Sequence, residues 1–119
     1  MLLSKVPRNR FFSVLSNQNI SRVPSLIRIP LATDFSDPDA FDRRLPVRPR
    51  HLDNTKKSKE FGFLLTGGAI LADHDKGEMI GSMMVFEAES EEQVREAVEQ
   101  DPYVIEKVWE RYEIIPIKM

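Results

Sequence analysis

The order of segments in this chain predicts an α+β fold: four strands and two helices running β-α-β-β-α-β. This is the split βαβ, or ferredoxin-like, arrangement with a four-stranded antiparallel sheet. Two observations carry the prediction. Short apolar stretches bounded by Gly, Pro and Asp fall near residues 25–31, 63–71, 81–88 and 111–117. Stretches with apolar residues at helical spacing separate the first from the second and the third from the fourth. At 119 residues with no internal repeat, the chain is of single-domain size.

The first strand, Ser25-Leu26-Ile27-Arg28-Ile29-Pro30-Leu31, carries a proline that cannot donate to a ladder, which suits an edge or a strand end. Asp34-Phe35-Ser36-Asp37-Pro38 reads as a polar turn, with Asp37 as N-cap and Pro38 at the first helical position. Phe41 and Leu45 share a face. Pro46 is expected to interrupt that helix, because it lacks an amide hydrogen and crowds the preceding turn. Pro49 reopens it through His51, Leu52 and Thr55 to about Lys59, where Gly62 supplies a stop. The second strand holds Gly67 and Gly68, which signal either a bulge or backbone left bare for close approach. Asp73-His74-Asp75-Lys76-Gly77 is a connector; one imidazole in such a loop lacks a metal-ligand set, so solvated turn residues are the better reading. After the third strand, Ser90-Glu91-Glu92-Gln93 is a capping box. It opens a helix with Val94, Ala97 and Val98 on one stripe. Asp101-Pro102 starts a short turn before the closing strand.

Composition excludes several classes. With no cysteine there is neither a disulfide framework nor a thiolate metal site. No apolar run approaches the ~20 residues of a membrane-spanning helix. Of 17 basic and 19 acidic residues, residues 1–33 hold five basic ones (Lys5, Arg8, Arg10, Arg22 and Arg28) and no acid. Residues 1–23 therefore read as a transit peptide, with mitochondrial address expected and a cytoplasmic protein with a basic tail as the alternative. The rest is acidic, which opposes binding to nucleic acid.

Arg44-Leu45, Val47-Arg48-Pro49-Arg50-His51-Leu52, Leu65-Thr66-Gly67-Gly68, Gly81-Ser82, Glu87-Ala88-Glu89-Ser90 and Asp101-Pro102-Tyr103-Val104 occur in that order. Together they resemble the YCII-related family of the dimeric α/β-barrel superfamily, over residues 24–119. The resemblance implies a homodimer in which the sheet packs on that of a second copy. It also implies a pocket holding His51 and Asp101, and no cofactor. Some members of that superfamily act on small ring-bearing compounds, by steps such as dehydrochlorination or isomerisation.

An imidazole titrates near neutral pH and can take a proton, and a carboxylate can fix its tautomer. His51 and Asp101 are thus the candidate catalytic pair, although Asp before Pro is also an ordinary turn initiator. Candidate ligand contacts are Arg44 and Arg48, whose planar forks suit an acidic group, with Gly67, Gly68, Ser82 and Tyr103. No metal site is expected. Met79, Met83 and Met84 read as core or interface filler, and Phe63, Leu65, Met84 and Phe86 as cover for the sheet face that meets a second copy. The leading function is a lyase or isomerase acting on a small acidic or aromatic metabolite. The competing readings are a non-catalytic small-molecule binder and a structural dimer subunit.

Overall fold

A computed structural model describes residues 26–118; the basic front segment, and with it the targeting expectation, lies outside them. In chain order the elements are β1 (Leu26–Asp34), α1 (Ala40–Glu60), β2 (Leu64–Leu71), β3 (Met79–Ala88), α2 (Glu91–Glu99), α3 (Pro102–Ile105) and β4 (Trp109–Ile117). The strands form one antiparallel sheet in the order β2-β3-β1-β4. The architecture is the expected α+β one, with α3 as a third helix.

Two local expectations are corrected. The chain does not break at Pro46: α1 runs unbroken with Pro46 and Pro49 inside it. Its inward stripe is Ala40, Arg44, Val47 and His51, at spacings of four, three and four. Both prolines lie on the exposed side. The carbonyls they leave without a helical donor belong to Asp42 and Leu45, which are also exposed, so water can satisfy them. The helix also starts later than expected, with Asp39 rather than Asp37 at the N-cap position. Asp37 instead accepts from the Asp39 amide at 3.2 Å and takes both Arg43 guanidinium nitrogens at 2.8 Å. Those Arg43 bonds hold its carboxyl at about 2, below its ordinary 3.8.

A further correction concerns Asp34, which ends β1 instead of sitting in a turn. Period-two alternation puts Pro30, Ala32 and Asp34 on one buried side. The pairing with β4 shifts between Thr33 and Asp34, leaving Asp34 opposite Trp109. The glycine pair is not a bulge either. Gly67 and Gly68 pair regularly with Met84 and Met83, and the irregularities lie between Leu64 and Thr66 and between Ile70 and Leu71.

The core lies between the helices and one sheet face. It combines Val47 of α1, Val94 and Val98 of α2, Tyr103 of α3, and Ala32, Leu64, Met84, Phe86, Ala88 and Trp109 of the strands. The α2 capping box forms as expected: Ser90 Oγ accepts from the Gln93 amide, and Gln93 Oε1 accepts from the Glu89 amide. Met84 and Phe86, expected on the outer sheet face, are core residues, and Phe63 is buried against Phe86 with ring centroids 4.6 Å apart. The outer face instead carries the alternate residues Ile27, Ile29, Leu31, Met83, Val85 and Ile115, all half-buried in the single chain.

Candidate functional site

His51 is carried on the inward stripe of α1, and Asp101 is the N-cap of α3. Their segments are fifty residues apart, yet His51 Nδ1 lies 2.9 Å from each Asp101 carboxylate oxygen. A carboxylate accepts, so Nδ1 is the donor of this contact, and in the neutral ring Nε2 is the nitrogen without a hydrogen. Asp101 Oδ1 also accepts from the Tyr103 amide at 2.8 Å. The two readings of Asp101, turn initiator and histidine partner, therefore both hold. Asp101 is 2% exposed and His51 9%.

Aromatic rings fix the imidazole further. Tyr103 stacks on it with centroids 4.1 Å apart and planes 14° apart, and Trp109 meets it edge-on at 5.8 Å. Burial pushes the Tyr103 phenol above its ordinary pKa, against the pull of Arg44 and Arg48, so at neutral pH it keeps its proton.

Arg44 is not a solvated helix charge. It is 2% exposed and gives Nη1 to both oxygens of Asp34 at 2.8 Å. Its Nη2 goes to the Gly81 carbonyl at 3.2 Å and Ser82 Oγ at 3.0 Å. Its guanidinium carbon lies 4.7 Å from the Tyr103 ring centroid. Burial pushes the Asp34 carboxyl above its ordinary value, and Arg44 pulls it back. Gly81 permits the close passage of β1 here: a Cβ on it would come within 2.4 Å of the Ala32 carbonyl oxygen.

These residues surround a cavity of about 200 Å³ between α1 and the edge strand β2. One wall is an α1 stripe, Arg44, Arg48, His51, Leu52, Thr55 and Lys59. The other is Leu64, Gly67, Gly68 and Ala69 with Ser82, Met83 and Met84, and Tyr103 completes it. Small side chains at 67–69 keep the space open. A Cβ at Gly67 would crowd the Met83 carbonyl at 3.0 Å, whereas one at Gly68 would meet nothing within 4 Å. Every expected site residue thus lines one cavity, except Asp101, which stands behind His51. Sequence reasoning missed Asp34, Thr55 and Lys59. Thr55 and Lys59 repeat the four-residue step from His51 along α1, and Asp34 continues the alternation of β1. No cluster of metal-ligating side chains occurs among the described residues.

Fold and site together define a small α+β protein with a His–Asp pair at a cation-lined cavity. The chain belongs to the YCII-related domain family, whose domain it matches over residues 31–118. It is 36% identical over 84 residues to Protein YciI of Escherichia coli, covering 67% of this chain and 86% of that one. It is 45% identical over 67 residues to derivative of benzaldehyde biosynthesis cluster protein C of Emericella nidulans, covering 52% of this chain and 68% of the relative. Among solved structures it resembles the 5-chloro-2-hydroxyhydroquinone dehydrochlorinase of Burkholderia phenoliruptrix in complex with 2,5-dihydroxybenzoquinone. The TM-score is 0.66 at 24% identity, covering 77% of this chain and 93% of that one, a likeness of fold.

Proposed function

We propose that the chain is a small enzyme of lyase or isomerase type in which His51 Nε2 removes a proton from a single-ring anionic metabolite. The observation that carries this reading is the clamp on Nδ1 by both Asp101 oxygens, which orients the imidazole of a residue that lines the cavity. Size supports the substrate class: an apolar cavity of about 150 Å³ takes benzene, and this one is about 200 Å³. Charge supports it as well. Arg44, Arg48 and Lys59 line the cavity without any carboxylate side chain, and Arg48 and Lys59 form no ion pair among the described residues. The dehydrochlorinase of the same fold, bound to a dihydroxybenzoquinone, is in keeping with a ring-sized ligand. Screening ring carboxylates and phenols for turnover tests the proposal. Turnover should vanish in His51→Ala. Ligands that raise the melting temperature without any turnover would instead favour a binding module.

The working unit in this proposal is a homodimer joined through the outer sheet face, whose aliphatic residues would otherwise meet water. The acid-free front segment supports delivery to the mitochondrion. Residues 1–23 fused to a fluorescent protein should carry it there, and a diffuse cytoplasmic signal would overturn the address.

A further inference from the structure

The cations of α1 divide into two sets. Arg43 is held by Asp37, Arg44 by Asp34, Arg50 by Glu106 and Lys57 by Asp53. Arg48, Lys56 and Lys59 form no ion pair among the described residues, and Arg48 and Lys59 line the cavity. Lys59 is exposed and stands at the mouth, ~12 Å along the helix from His51. Leu52 and Thr55 lie between the two. Leu52 lines the cavity yet is 44% exposed, an apolar surface open to a ring face. Thr55 Oγ1 donates to the Leu52 carbonyl at 2.9 Å. With that proton engaged, Thr55 has only lone pairs to offer a ligand. Across the cavity, Gly67, Gly68 and Ala69 carry no charge, so any polar end of a ligand is read from α1.

We propose that Thr55 and Lys59 are specificity-determining residues that select a six-membered ring bearing a hydroxyl and, meta to it, a carboxylate. The ring lies between Leu52 and Gly68, where a Cβ would meet nothing within 4 Å. The Thr55 hydroxyl oxygen accepts the substrate O–H, and the Lys59 ammonium holds the carboxylate. Spacing supports the meta relation. Residues four apart on a helix face lie ~6 Å from one another, close to the separation of two meta substituents. Helical side chains lean towards the N-terminus, which brings the Lys59 stem back over the cavity. This inference rests on the proposed ring-binding role of the cavity and names which anionic ring it admits.

The test uses the full chain and 3-hydroxybenzoate, which carries both groups, with binding read by titration calorimetry. Wild type should bind it more tightly than 3-hydroxybenzamide, which lacks the charge, and more tightly than benzoate, which lacks the hydroxyl. Lys59→Met should cut the preference for acid over amide by about fivefold, the upper range for an exposed ion pair. Lys59→Glu should reverse that preference. Raised salt should erode it in the wild type, because Lys59 is open to solvent. Thr55→Val should abolish the preference for 3-hydroxybenzoate over benzoate, and Thr55→Ser should keep it. His51→Ala should retain both preferences, so failure of the base role would show as absent turnover with selectivity intact. A preference for the acid that survives Lys59→Met would put the carboxylate on Arg44 or Arg48 and overturn the proposal. So would a wild type that binds none of the three compounds.

Discussion

At Asp101, substitution separates two duties that one carboxylate performs. Asparagine can still cap α3 but offers the imidazole either an oxygen or an amide nitrogen. We expect Asp101→Asn to lose most activity at little cost in stability. Nitrogen NMR of its His51 ring should show mixed tautomers, against Nδ1–H alone in the parent; a single unchanged tautomer would mean that Asp101 does not set it. Asp101→Ala should lose the cap as well, at about 1 kcal/mol in urea unfolding. Arg44→Leu is the harsher change. It leaves Asp34 buried without its partner, and removing one member of a buried pair costs about 3–5 kcal/mol. The His51–Asp101 pair was legible in the sequence through motif resemblance. The Arg44–Asp34 pair was not, since Asp34 is followed by Phe-Ser-Asp-Pro and only the register with β4 shows that the strand still runs there.

Among the elements, α1 departs most from a local reading. Propensity rules end a helix at Pro46, but tertiary burial of the stripe from Ala40 to His51 outweighs two missing bonds that face water. Those bonds remain a local weakness. Pro46→Ala should therefore stabilise the protein by roughly 1 kcal/mol or more, less than the full helix-interior penalty because alanine also frees the unfolded chain. A lower melting temperature in that variant would mean that the ring packs or shapes the helix. The entry to α1 has a pH signature. The Asp37 carboxyl is depressed in the folded state, so its contribution is present above 3.8 and fades as pH falls towards about 2. In Arg43→Ala the acid limb of the stability curve should be flatter over that window, read by thermal melts against pH.

For the molecule as a whole, strand order and count followed from segment order, and the idea of an apolar outer face followed from having helices on one side only. Assigning its residues did not. Phe63, Met84 and Phe86 are large apolar side chains and invite the assignment, yet strand register turns Met84 and Phe86 inward and puts half-buried Val85 and Leu31 on the outer face instead. Val85→Arg should accordingly leave a folded chain that sediments as a monomer at micromolar concentration. A parent protein that already sediments as a monomer would remove the outer face as an interface.

The cavity is built from two kinds of material. Its floor (Arg44, His51 and Ser82) is tied by hydrogen bonds to Asp34, Asp101 and Trp109 behind it, so changing it threatens the fold. Its rim (Arg48, Leu52, Thr55 and Lys59) is exposed or half-buried, and the Thr55 hydroxyl donates within the helix, to the Leu52 carbonyl. Substitutions in the rim should therefore cost less stability than substitutions in the floor. Under the proposed function, one His–Asp pair could thereby serve different metabolites through rim substitutions that cost the protein little stability.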